Sequence, residues 1–395
     1  MKLLLYSHAF SPTVGGIETI VNSLARGLSK LRDTAAPPNA AKTKIDVTVV
    51  TQTPAANFDD ASFPCPIVRQ PGFFALARLI RAADLIHIAN AALPPMFLAW
   101  LLRKPFVIEH HGYQAICPNG LLLQKPQTNV CPGHFQAGNY RECVKCESQD
   151  MSPFRAILSV LFNFPRLALA KHAATNIAVS QHVVKRISLP RTALIYHGLE
   201  CDATNASPPT APTTTALKTR FGYVGRFVPE KGIPALLDAA QRLRNQRNDF
   251  EILLVGDGPQ RPQIEDLIRR AHAEDYVTIT GFLTGQKLSD AVNSLDVVVM
   301  PSTWEETAGL AAMEQMARGR LVIASDIGGL GEIVDGAALK FLPGDAERLA
   351  DQMNQALQSS PEISKLGKLA QDRVQSLFLA DRMIAEHAAL YSKLV

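Results

Sequence analysis

The chain has no uninterrupted apolar run long enough to cross a bilayer, which excludes a conventional spanning helix. Its start, MKLLLYSHAFSP, holds too short an apolar stretch for a signal peptide and reads instead as a strand. Both observations lead us to expect a cytoplasmic protein. Cysteine is scarce, six in 395 residues, and in that compartment thiols or metal ligands are expected rather than disulfides. No Asp-x-Asp occurs, so no carboxylate pair is spaced to clamp a divalent cation against phosphates. Aromatics make up 7% and are not interleaved with a basic stripe, so no nucleic-acid partner is expected. What is abundant is apolar surface: 47% hydrophobic residues, ample for the buried cores of two or three domains.

Charge is unevenly placed. Residues 1–200 carry 20 Lys+Arg against 11 Asp+Glu, whereas residues 201–395 carry 20 against 25. A basic first half suits an anionic partner such as a membrane surface or a phosphate-linked lipid, or is a solvated basic surface. Residues 154–173, FRAILSVLFNFPRLALAKHA, combine apolar bulk with Arg155, Arg166 and Lys171. They read as a membrane-surface helix or as a core helix pair broken at Pro165.

Strand and helix candidates alternate from the start. Lys2–Ser7 reads as a buried strand, followed by the loop HAFSPTVGG and an amphipathic helix from about Ile17 to Leu31. Further strands are expected at Asp46–Thr51, Asp84–Ile88, Pro105–Glu109, Asn176–Val179 and Ala193–Tyr196, with a surface insertion at 33–44. Such alternation implies a parallel, doubly wound sheet with ligands at the carboxyl ends of its strands. Residues 201–217, rich in Pro, Thr and Ala, have a linker composition, and the pattern restarts at Arg220–Val224. We therefore expect a first domain over 1–200, a second over 218–376, and a helical segment over 377–395 that crosses back to the first.

The chain is organised around Pro301–Glu332, which follows the apolar strand Val297–Met300. A helix is expected from Gly309 to Arg318, with Glu306 in the loop before it, Glu314 within it and a Gly-rich turn after it. Eight positions of helix bring two side chains about 80° past two full turns and roughly 12 Å apart, on one broad side. The unpaired N–H groups at the helix start suit a phosphate, and the carboxylates suit sugar hydroxyls. Two surface glutamates on an ordinary amphipathic helix would give the same spacing. Earlier, Gly225-Arg226 and Lys231-Gly232 place two cations on the loop after Arg220–Val224, where a departing diphosphate needs them. Gly15-Gly16 permits a tight strand-to-helix turn at which backbone can approach a phosphate. Glu18 is either a cap or a ligand, Ser180 an N-cap, and Asp257 in LLVGDGP a turn holder.

Cys117, Cys131, Cys143 and Cys146 fall within thirty residues, the last pair spaced as in a metal knuckle. They read as a structural zinc site, with His134 a substitute ligand, or as free thiols.

The Glu306–Glu314 spacing, PSTWEE and SDIGGLGEIV together resemble the donor site of retaining glycosyltransferases of family 4. SPTVGGIE, GRFVPEKG, LLVGDGP and Gly281-Phe282-Leu283 are similar to that family's other loops, in the same order. The resemblance implies a GT-B fold: two Rossmann-like doubly wound α/β domains facing across a cleft. It implies transfer of a hexosyl unit from a UDP- or GDP-sugar to a saccharide or lipid-linked acceptor in cell-envelope synthesis, with retention and without a metal. In that scheme Arg226 and Lys231 hold the diphosphate with amides near Gly309 and Leu310, and Glu314 binds ribose. Glu306, with Thr307 and Ala308, meets the sugar, and Phe282 lies by the base. Gly15, Gly16 and Gly225 lie beside the donor. His111 contacts the sugar, although Gly112 stands where the family has Asp, and Ala308 stands where relatives commonly have an aromatic residue. The enzyme would be cytoplasmic, peripheral on the inner face of the membrane. A catalytically silent nucleotide-sugar-binding subunit and a sugar-nucleotide epimerase are the alternatives on the same fold.

Overall fold

The computed structural model describes residues 1–31, 44–200, 218–358 and 360–395. The expected linker at 201–217, and all of the expected insertion but Lys44, lie outside the described residues. The chain divides into two compact units, one of Met1–Pro126, Cys131–Glu200 and Leu377–Val395, the other of Gln127–Val130 and Cys201–Ser376.

The first unit is built on a seven-stranded sheet. Its strands run, edge to edge, Ile67–Arg69, Asp46–Thr51, Lys2–Ser7, Leu85–Ala89, Phe106–His110, Thr175–Ala178 and Thr192–Leu194. All pairings are parallel. Lys2–Ser7 is buried at five of its six positions, as an apolar run covered on both faces by helices should be. The edge strand Ile67–Arg69 was not expected from sequence. Its three residues are only half-buried, and so short a segment shows no alternation.

The second unit holds a six-stranded parallel sheet in the order Val277–Gly281, Phe250–Val255, Thr219–Val224, Val297–Met300, Leu321–Ser325, Leu339–Phe341. Relative to the chain this is the dinucleotide-fold order 3-2-1-4-5-6, which reverses direction between Thr219–Val224 and Val297–Met300. Beneath it lies a core that includes Phe221, Phe227, Leu236, Phe250, Leu254, Val299, Ile323 and Leu349. The carboxyl ends of the two strands at the reversal open into loops 225–232 and 301–309, the segments singled out from sequence.

Two expectations are corrected. Pro165 does not break its helix, which runs from Pro153 to His172. Proline forfeits one backbone hydrogen bond. Ala156, Val160, Asn163, Leu169 and Ala170 are buried on either side of it, which holds the helix together. The Gly-rich segment after Ser325 is not a turn but a short helix, Gly328–Ile333. Residues 377–395 do belong to the first unit, where helix Ala380–Tyr391 packs on helix Gly16–Lys30. Leu199 accepts from Ala380 N and donates to Phe378 O, so the chain leaving the first unit and the chain re-entering it run side by side.

Candidate functional site

The loop after Thr219–Val224 is set by backbone contacts. Gly232 sits at φ 69°, and a Cβ there would come within 1.9 Å of Pro301 O. Only glycine gives that conformation and that approach together. Thr303 N donates to Glu230 O at 2.9 Å, fastening the loop to the one following Val297–Met300. This brings Lys231 Nζ to 2.8 Å from Glu306 Oε1, and Ser302 Oγ donates to the same oxygen. Glu306 is buried and Lys231 about a quarter exposed. The Arg226 guanidinium is exposed, and Tyr223 OH holds the Arg226 carbonyl at 2.8 Å.

Glu306 lies in the loop, as expected, and helix Leu310–Ala317 starts from Gly309 with no side-chain cap. Thr307 and Ala308 are buried between them. Gly329 N donates to Glu306 O at 2.6 Å, and a Cβ on Gly329 would meet Thr307 O at 2.2 Å. The glycine pair of SDIGG thus lets the short helix press on the Glu306–Thr307 backbone. Glu314, on the helix, borders a concavity of about 260 Å³ with Val224, Leu288, Ser289, Gln315 and Arg318. Its side chain has exposed surface, yet the surrounding protein pushes its carboxyl up, with Arg318 pulling it back. Phe282 is 70% exposed at the end of strand Val277–Gly281. Asp257 accepts from Gly258 N and pairs with Arg261, both at 2.8 Å, so it does hold its turn. The loop of Gly225 touches this turn: Phe227 N donates to Asp257 O. The second unit therefore brings together Gly225, Arg226, Lys231, Glu306, Thr307, Ala308, Gly309 and Leu310 around the reversal of its sheet, with Glu314 and Phe282 on neighbouring elements.

In the first unit Gly15 precedes helix Gly16–Lys30 in extended backbone, at the carboxyl end of the central strand. His111, for which the resemblance implies a sugar contact, lies in the first unit. Its imidazole is buried, with Nε2 3.4 Å from Glu109 Oε2 and Nδ1 3.0 Å from His197 Nε2. Glu109 itself is wholly buried and ringed by His87, His111, His197 and His387. Burial pushes its carboxyl up, but His111 and His387 beside it outweigh that and hold it well below the usual range. Burial likewise depresses His197 to about 3 and His110 to about 4, and His110 is bonded to Asn176. Sequence reading missed Glu109, His87, His197 and His387. The available signal was a histidine and a glutamate inside otherwise apolar strands.

Cys117, Cys131, Cys143 and Cys146 line one small cavity with His134 and Glu147. No three of the four sulfurs lie within 4.8 Å of one another among the described residues. A tetrahedral zinc–thiolate site has edges of about 3.8 Å, so the loop would have to draw in to close on zinc. Burial pushes the Cys117 thiol up to about 11, and burial with the neighbouring sulfurs pushes Cys143 up to about 12. A cation is what would make four thiolates compatible here.

The fold and the loop arrangement define a protein with two Rossmann-like α/β units. HepE of Anabaena, solved in complex with UDP and glucose, matches the whole chain at a TM-score of 0.72 and 20% identity, covering 100% of both. Residues 218–359 match the family model of group 1 glycosyl transferases. A 2-deoxystreptamine glucosyltransferase of Streptomyces kanamyceticus is 31% identical over 233 residues, 56% of this chain and 57% of that protein. An alpha-D-kanosaminyltransferase of the same organism is 32% identical over 157 residues, 37% and 40% of the two chains. The chain thus spans about half the length of the curated relatives it matches. The fold is GT-B, and residues 218–359 are a group 1 glycosyl transferase domain.

Proposed function

We propose that this chain is a family 4 enzyme that moves a hexosyl unit, with retention, from a UDP- or GDP-sugar to a saccharide or lipid-linked acceptor. The observation that carries the reading is the meeting of Arg226, the Lys231–Glu306 pair and the uncapped start of helix Leu310–Ala317 at the reversal point of the second sheet. An exposed guanidinium, an ammonium and oriented amides together receive a diphosphate as its charge grows. With no Asp-x-Asp in the sequence, these groups do the work otherwise given to a metal. Glu306 and Glu314 take hydroxyls of sugar and ribose. In the step itself the bond from the sugar's anomeric carbon to the diphosphate oxygen breaks. The acceptor oxygen bonds to the same face, and the acceptor's proton passes to the leaving phosphate. No enzymic nucleophile is needed.

Calorimetry with UDP-, GDP- and ADP-sugars, without added metal, tests the donor site. Binding of one donor, weakened about 10- to 100-fold in Arg226→Ala, supports it. Absence of binding by any donor favours the silent subunit. Full transfer activity in Glu314→Ala would remove that residue from the site, and isomerisation of the donor with no acceptor present would favour the epimerase.

A lipid-linked acceptor in cell-envelope synthesis is favoured by one further observation. Helices Phe73–Ala82, Leu93–Leu101 and Pro153–His172 pack in sequence, the second between the others, and contain no Asp or Glu. They expose Phe74 (85%), Phe154 (70%), Trp100, Leu101, Leu161 and Phe162. Arg78, Arg81, Arg103 and Arg155 are exposed on or beside the same helices. Apolar bulk on helices whose only charged side chains are cationic suits the headgroup region of an anionic bilayer. No helix among the described residues is long and apolar enough to cross a membrane. One Streptomyces relative is named for a 2-deoxystreptamine acceptor, and a soluble aminocyclitol acceptor is the outcome to expect if this face does not bind vesicles.

Zinc at Cys117, Cys131, Cys143 and Cys146 is proposed as a structural ion that orders the loop, with His134 beside it. Metal analysis showing less than about a tenth of an equivalent in freshly purified protein would leave free thiols.

A further inference from the structure

The proposed reaction assigns no step to His87, Glu109 or His387. We propose that His87, Glu109 and His387 form a second, structural site for a divalent transition metal of the zinc type, which fastens helix Ala380–Tyr391 to the first sheet.

The geometry begins with register. Ala89 pairs with Glu109 on adjacent parallel strands, so His87, two residues earlier, shares the face of Glu109. Helix Ala380–Tyr391 lays His387 on that face. The three side chains are wholly unexposed, and their ligand atoms all lie within 4.8 Å of one another. His87 Nε2 is 3.1 Å from Glu109 Oε2, and His387 Nε2 is 3.7 Å from Glu109 Oε1. With metal–ligand bonds of about 2.0–2.1 Å, the edges of a tetrahedral site are about 3.3 Å, between these two distances.

Hydrogen bonding points the same way. Neither Glu109 oxygen, nor His87 Nε2, nor His387 Nε2 makes a hydrogen bond of acceptable geometry, although all are completely buried. Buried polar atoms are nearly always satisfied, so four together need a common partner. The outer nitrogens are committed: His387 Nδ1 is 2.8 Å from Met383 O, and His87 Nδ1 is 2.7 Å from Tyr391 OH. A carbonyl can only accept, so His387 carries its proton on Nδ1 and leaves the Nε2 lone pair facing the carboxylate. That is the outer-sphere arrangement of metal-bound histidine, with a backbone carbonyl fixing the tautomer. Two nitrogen donors and one carboxylate, closed from solvent, suit zinc. His111 and His197 form a second group on the same carboxylate.

The test uses anomalous diffraction from crystals of the full chain grown with zinc, at energies either side of the zinc edge. A peak about 2.0–2.2 Å from His87 Nε2, His387 Nε2 and a Glu109 oxygen supports the site. No peak at that point overturns it, whatever the cysteine loop holds. In solution, Cys143→Ser/Cys146→Ser removes the other candidate site. This protein should retain about one equivalent of zinc, falling below about a tenth when His387→Gln is added. Folded Cys143→Ser/Cys146→Ser protein with less than about a tenth of an equivalent after dialysis against zinc would also overturn it. Neither readout depends on glycosyl transfer, so the site can fail while the donor site stands, and the reverse.

Discussion

Lys231 and Glu306 are each other's partners in the protein, so a change at either reaches both. Lys231→Met leaves a buried carboxylate with Ser302 as its remaining side-chain donor among the described residues and should cost about 1–3 kcal/mol of stability as well as donor affinity. Glu306→Gln keeps a hydrogen-bond acceptor for Lys231. It should leave the thermal midpoint close to wild type while lowering kcat/KM at least tenfold if Glu306 takes a sugar hydroxyl. Scanning calorimetry beside steady-state kinetics separates the two effects, and equal losses of stability in both variants would make Glu306 merely structural. These residues could be picked from sequence because each lies a few positions from a glycine that fixes its loop. Ser302 could not, since nothing in PSTWEE marks which hydroxyl turns inward. The Glu109 cluster was beyond reach for another reason: its members come from two strands and from a helix at the far end of the chain. Spacing along the sequence carries no trace of that convergence. The same convergence sets His111 against Glu109.

Most elements were legible from periodicity, and their ends fell within a residue or two of those found. The failures have physical causes. Pro165 stays helical because flanking burial compensates one lost hydrogen bond. The Gly-Gly of SDIGG opens a helix because its bare backbone must press on the Glu306–Thr307 loop. Gly232→Ala should lower stability by about 2–3 kcal/mol, since it meets both a left-handed backbone and the Pro301 carbonyl. A loss of stability by denaturant unfolding smaller than about 0.5 kcal/mol would show that the loop relaxes freely. The apolar helix face is testable at the same scale. Phe154→Asp with Phe162→Asp should remove co-sedimentation with anionic vesicles and leave calorimetric donor binding unchanged. Wild-type protein that stays in the supernatant with such vesicles would sink the membrane reading.

At the scale of the molecule, two doubly wound domains were readable because two strand–helix series are separated by a Pro- and Thr-rich stretch, and GT-B followed from the family resemblance. The ownership of the last residues was readable only through resemblance. Deleting 378–395 should expose the face that carries His87 and Glu109. Amide exchange should then quicken in Leu85–Ala89 and Phe106–His110 while Thr219–Val224 keeps its protection. Uniform loss of protection in all three strands would mean that the units unfold together. The crossing-back segment also bears on synthesis. Residues 377–395 leave the ribosome after the whole of 218–376, so the first unit, though translated first, lacks one of its helices until the second unit has emerged. The usual order, in which domains mature from the amino terminus onward, is reversed for the final step. Until then the buried face of the first sheet is open, and it is during this interval that chaperones have a binding site on the nascent chain.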